Sequence, residues 1–231
     1  MQWCMKVDDL ALVGGWPHTV ATLRRWNASP WRLLGTWALG SLAVTLLLLG
    51  GTWLVANFRV PDPSVLHVYP GLSRPATTHD FFFVLGRNGT VLALHALACV
   101  AGFIAGWAPA GQPRSRLQAR AGRAAIAFVT AATIFSLVTQ ADALGTMLSN
   151  LAWRLEVTPL ELLLTLAPHA LPELFAVFLP LAAWSLASRR GAWDELLAAT
   201  IATTAIAIPL LLVAGVVETW VTPRLLWTLT G

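Results

Sequence analysis

Apolar and polar positions along this chain fall into long blocks, not into the short alternations of a sheet. Residues 33–58 are apolar apart from threonines, a serine and the terminal Asn57, with Trp37 and Trp53 near the ends. Further apolar blocks cover about 88–107, 122–140, 160–188 and 196–220. A helix needs about 20 such residues to cross a hydrocarbon core of about 30 Å. The pattern therefore predicts an all-α membrane protein with five transmembrane helices, organised as a membrane domain over 33–231 behind an N-terminal segment, 1–32.

The polar intervals refine this picture. In residues 1–32, Val20, Leu23 and Trp26 recur at near-helical spacing beside Arg24 and Arg25. This suits an amphipathic helix on the cytoplasmic membrane surface, and equally a solvated one. Residues 59–87 read as an outside loop, with prolines at 61, 63, 70 and 75 and a closing FFFVLGR that resembles an interfacial wedge. Residues 142–159 are mixed and amphipathic.

The fourth block is too long for one crossing and carries breakers. Thr158-Pro159-Leu160-Glu161 has the form of a capping box with proline at the first helical position. Pro168 and Pro172 then leave the carbonyls of Leu164 and Pro168 without donors. Residues 168–188 suffice for one crossing at 1.5 Å per residue. The expectation is a short re-entrant or interfacial helix over 159–167, followed by a spanning helix over 168–188; a single long, kinked helix is the other possibility. In the last block Pro209 frees the Ala205 carbonyl near Thr200, Thr203 and Thr204, which predicts a bend.

Composition settles the solvent. The chain is 57% hydrophobic and 11% charged, against roughly 25% charged in soluble domains, so its surface belongs in lipid. Twelve tryptophans fit membrane–water boundaries. The formal charge of +4 does not indicate nucleic acid, because the arginines flank the apolar blocks. Ten basic residues (Lys6, Arg24, Arg25, Arg32, Arg114, Arg116, Arg120, Arg123, Arg189, Arg190) fall on one side and five (Arg59, Arg74, Arg87, Arg154, Arg224) on the other. That bias favours the N-terminus inside and the C-terminus outside, in what is expected to be a bacterial cytoplasmic (inner) membrane. No cleavable signal is evident, and the first span is expected to act as the insertion signal. Cys4 and Cys99 make no disulfide framework.

Ionisable groups inside a bilayer cost about 2.5–3.5 kcal/mol at a helix centre. His169 and Glu173, four residues apart, share one helix face. Glu218 lies near the outer end of the last span, His95 about seven residues into the second, and Asn88 at its edge, with Gln140 and Asp142 at a similar level. They predict a polar cluster in the outer leaflet built from helices two, four and five. It could lock helix packing, dock a partner's helix or another copy, or line a cavity for ions or a small solute. Catalysis lacks its inventory. HEXXH and phosphate-binding loops are absent, Ser136 and Ser149 have no poised base, and Cys99 with His95 reads as core. No metal and no cofactor are expected. Gly102 and Gly106 form a GxxxG that permits close packing.

PHALPE, an apolar helix, a basic turn and a closing VVETWVTP together resemble the stage II sporulation protein M family. The matching residues are Pro168, His169 and Glu173, then Glu218, Trp220, Val221, Thr222 and Pro223; Ala170 stands where a glycine is usual. The resemblance implies a multi-spanning, non-enzymatic membrane scaffold or assembly factor. The best-known member works with a membrane partner and a cell-wall hydrolase in septal peptidoglycan degradation. Expected partners are thus the lipid bilayer, further copies of the chain, and a membrane or periplasmic envelope protein. The alternative is a homo-oligomeric channel or transporter with a path lined by His169, Glu173 and Glu218.

Overall fold

The computed structural model describes residues 11–62, 64, 70–106 and 116–230, with side chains left aside at 116–123, 125 and 230. Cys4, Lys6, Pro63, Trp107 and Arg114 lie outside the described residues, and the side chains of Arg116, Arg120 and Arg123 are likewise not described. Among the described residues there is no strand. The helices are α1 (Ala11–Gly14), α2 (Trp16–Ala28), α3 (Pro30–Phe58), α4 (Thr78–Gly106), α5 (Arg116–Arg154), α6 (Pro159–Arg190), α7 (Leu196–Val216) and α8 (Thr222–Thr230). A 3-10 turn, Trp193–Glu195, precedes α7, and a π-helical turn, Val217–Val221, joins α7 to α8. Five helical stretches are long and apolar enough to cross a membrane: Pro30–Phe58, Thr78–Gly106, Ile126–Arg154, Pro159–Arg190 and Trp193–Leu229.

Helix α6 is the axis of the bundle. Every residue from 176 to 184 is buried, as befits a helix apolar on all sides, and α3, α4, α5 and α7 all pack on it. The fourth block is not broken. The capping box forms as read, with Thr158 Oγ1 accepting from the Glu161 amide at 3.2 Å and Glu161 accepting from the Thr158 amide at 2.8 Å. From there one helix runs to Arg190 with Pro168, Pro172 and Pro180 inside it. The short helix expected over 159–167 is its first two turns. Proline's fixed φ is compatible with a helix, and the cost is a missing donor. Packing offsets that cost: Leu162, His169, Glu173, Ala176, Pro180 and Ala183 form one continuous buried stripe. At 32 residues and 1.5 Å each, α6 is about 48 Å long, so it tilts or extends past the hydrocarbon core. Gly191, at φ 70°, closes it in the left-handed conformation that glycine tolerates best, its amide bonding back to Ser188.

Neighbouring helices also donate to carbonyls of α6 around Pro180. Ser41 Oγ on α3 donates to the Phe175 carbonyl at 2.6 Å. On α4, His95 Nδ1 donates to the Val177 carbonyl at 2.9 Å and Cys99 Sγ to the Pro180 carbonyl at 3.4 Å. Because a carbonyl only accepts, His95 carries its proton on Nδ1. Ser41→Ala combined with His95→Phe should therefore cost about 0.6 kcal/mol per lost bond, the average for interhelical bonds in lipid. Thermal unfolding of the purified protein in detergent reads this, and the two losses should add.

Other boundaries differ from the sequence reading. Helix α4 starts ten residues before Asn88, so FFFVLGR is helix and not a loop. A second capping box starts it: Thr77 Oγ1 and the Thr77 amide donate to Asp80 Oδ2 at 2.8 and 2.9 Å, and Arg74 pairs with the same carboxylate. Helix α5 continues through the mixed segment after Gln140 to Arg154, because Leu148 and Ala152 pack under Leu162 and Leu226. Helix α7 runs through Pro209, while Thr200 and Thr203 bond carbonyls one turn back, at Leu196 and Ala199. The polypeptide stays helical beyond Thr222-Pro223 as α8.

At the arginine-rich end, α2 folds against the turn between α6 and α7 through Arg25–Glu195 (2.6 Å) and His18–Asp194 (3.0 Å). The glycine pair is used within the chain: a Cβ on Gly102 would lie 2.7 Å from Leu196 Cδ1, and one on Gly106 would collide with Trp193.

Candidate functional site

Three spans meet near the end of the bundle that carries the 59–77 loop. Helix α4 brings Arg87 and Asn88, α6 brings His169 and Glu173, and the π turn with the start of α8 brings Glu218 and Thr222. Asn88, His169, Glu173 and Thr222 are buried. Arg87 reaches both carboxyls, with a terminal nitrogen 3.9 Å from Glu173 Oε1 and 4.0 Å from Glu218 Oε1. Glu218 and Asn88 both lie beside Glu173.

Arg87 brings one positive charge to a site that holds two carboxyl groups. A neutral, internally paired group is the form an apolar environment tolerates. Glu218 Oε2 nevertheless lies buried without a partner.

Local backbone features aim these groups. His169 Nδ1 and Thr222 Oγ1 are 2.8 Å apart, which ties α6 to the first residue of α8. The π turn over Val217–Val221 contains Glu218; the extra residue per turn that defines it is a frequent mark of functional positions. Phe81 stacks on Trp220 with ring centroids 5.6 Å apart, bracing that turn from α4. Gly71, at φ 88°, packs directly on Pro223, and Trp227 Nε1 donates to the Gly71 carbonyl at 3.2 Å. Gly71 is thus seated on α8.

The expected constellation is partly assembled. Asn88, His169, Glu173 and Glu218 come together, whereas His95 does not. It lies two turns, about 10 Å, further along α4 and faces Val177. Gln140 bonds Ser136 at 2.7 Å and Asp142 pairs with Arg59, so neither joins the cluster. Pro168 is exposed and Pro172 half-buried on α6, and Pro209 sits elsewhere in α7. Arg87 is the residue missed. Reading it as a loop anchor followed from starting the span at Asn88. The Thr77–Asp80 capping signal, read as a helix start, would have put it nine residues inside the helix. Among the described residues no three His, Cys, Asp or Glu side chains are placed to hold a metal ion.

Residues 124–223 match the family model for Stage II sporulation protein M. No curated protein and no solved structure matches the chain. The matched region contains His169, Glu173, Glu218 and Thr222, and it ends at Pro223, the residue under Gly71. Arg87 and Asn88 lie outside it. Five apolar helices together with this match make the protein a multi-pass membrane protein.

Proposed function

With residues 124–223 matching the stage II sporulation protein M family, we propose that the protein is a non-enzymatic scaffold or assembly factor of the bacterial cytoplasmic membrane. Its N-terminus lies inside and its C-terminus outside. It self-associates and positions envelope partners, peptidoglycan-remodelling proteins among them, through its outer surface. The observation that carries this reading is the way Arg87 faces both Glu173 and Glu218. A polar knot tying three helices at one level holds the outer end of the bundle in a single register. Gly71 packs on Pro223 and bonds Trp227 at that end, giving an ordered surface of the kind a docking partner needs.

Glu173→Gln keeps the shape and removes the negative charge. In a scaffold, self-association or partner co-purification should change severalfold while reconstituted vesicles stay impermeable to protons and small ions. The unpartnered Glu218 Oε2 favours a second reading, a channel or transporter using the same residues. Proton or ion flux through the wild-type protein in liposomes, abolished by Glu173→Gln, would establish that second reading over the first.

A further inference from the structure

Helix α5 stands at the edge of the bundle with one side bare. It packs chiefly on α3, and its most apolar stretch has no buried residue. Phe128, Ala131, Phe135, Thr139 and Asp142 are all exposed, and helical spacing sets them on one face. Arg59, just past the end of α3, reaches over to pair with Asp142, and both side chains remain half exposed, at 49% and 54%. Bare faces elsewhere in the bundle differ. No exposed residue of α7 over Leu196–Val216 is polar, and Ile208, Leu212, Val213 and Val216 supply the large ones. On α3, none of the exposed residues from Leu39 to Leu54 is polar either. Those two faces suit acyl chains. On α5, by contrast, Asp142 lies inside the apolar stretch Ile126–Arg154. Ionisable groups within a span belong on faces turned to protein, and small and hydroxyl side chains collect where one helix meets another.

We propose that this face of α5, together with Arg59, is the surface on which a second copy of the chain docks. The proposal specifies the self-association in the scaffold reading and rests on it. Charge selects the occupant. The face carries both members of an ion pair side by side, so it is complementary to itself. A two-fold axis along the membrane normal lays the two α5 helices parallel and sets each Arg59 opposite Asp142 of the second copy. Four charges of alternating sign then replace two half-open pairs, an arrangement that fixes register and rejects a wrong partner. Shape agrees, since Ala131 lies between Phe128 and Phe135 and leaves room for a bulky side chain from across the axis. Acyl chains offer nothing to Arg59 or Asp142. An unrelated helix would have to bring both signs to matched positions, which a second copy does by symmetry.

The test is a charge reversal split between two chains. Arg59→Asp puts two acidic groups on the face, and Asp142→Arg puts two basic ones there. Each variant alone should lose self-association by roughly tenfold or more, read by size-exclusion chromatography with light scattering. Co-expressed with different affinity tags, the two variants should co-purify as well as two wild-type chains do, because each acidic face then meets a basic one. Unchanged association of the single variants, or no recovery in the mixture, overturns the proposal. Charge reversal also strains the α3–α5 contact within one chain, so a second measurement avoids the pair. In a Cys4→Ser background, Thr139→Cys should give a disulfide-linked dimer under mild oxidation, and Leu212→Cys on the bare face of α7 should not. Ala131→Trp adds bulk that only a neighbouring copy meets and should weaken association as the single reversals do. Cross-linking at position 212 as strong as at 139 removes this surface and leaves the scaffold reading standing. A wild-type chain that stays monomeric in lipid removes both the surface and the self-association.

Discussion

Arg87→Met is expected to destabilise the protein by roughly 3 kcal/mol, the lower end of the range for removing one partner of a buried ion pair. The lower end applies because the Arg87 side chain is 57% exposed while those of Glu173 and Glu218 are 11% and 17% exposed. The substitution keeps an unbranched apolar stem and removes the cation that faces the two carboxyls. What remains is two carboxyl groups without that cation in an apolar setting. The diagnostic result is rescue. Adding Glu173→Gln and Glu218→Gln to Arg87→Met leaves an uncharged cluster and should restore most of the lost stability, although each added change alone deletes a partner of Arg87. Thermal unfolding in detergent, followed by loss of the monodisperse peak, reads all the variants. If the three substitutions merely add, Arg87 does not offset the two carboxyls.

The second large effect concerns how α5 is held. Helix α5 is mostly exposed along its apolar window and packs chiefly on α3. Its close approach depends on Gly145, where a Cβ would lie 2.6 Å from Val55 Cβ and 2.8 Å from the Thr52 carbonyl oxygen. That carbonyl is backbone and cannot swing aside. Gly145→Val should therefore push the two helices apart and cost about 2–3 kcal/mol, the upper part of the range for overpacking. The polar fasteners at the same end of α5 are Arg59–Asp142, Ser149 Oγ to the Arg59 carbonyl (3.2 Å) and the Asp62 amide to Asn150 Oδ1 (2.8 Å). They depend on the same spacing and should loosen with it. Hydrogen exchange should quicken in the α5 amides and leave the α6 core slow. A uniform change across both helices would mean that α5 is not a separable layer.

The two predictions differ in how far the chain announces them. Nothing local marks Gly145 as different from Gly50 or Gly86, which have open space where a Cβ would go. Arg87 was within reach of a closer reading, because TTHD before the triple phenylalanine is a helix start in miniature. Prolines misled in the opposite direction. Pro168 and Pro172 cost local hydrogen bonds, and a break is the local solution. The protein keeps the helix because the stripe from Leu162 to Ala183 is buried against other helices, a term that no window of sequence contains. Around Pro180, Ser41, His95 and Cys99 add side-chain bonds from two other helices to the carbonyls of Phe175, Val177 and Pro180.

The order of residues alone dictates the lipid environment, the five crossings, the capped start of α6 at Thr158, its glycine stop at Gly191, and the shared face of His169 and Glu173. Each follows from chemistry acting over four residues or from the summed hydrophobicity of about twenty. Packing alone decides that α6 is the unbroken axis, that His95 turns away to Val177, and that Arg87 faces Glu173 and Glu218 across three helices. Those outcomes depend on distances between segments far apart in the chain, 82 residues for His95 and Val177 and 134 for Ser41 and Phe175, and only a closed bundle sets such distances.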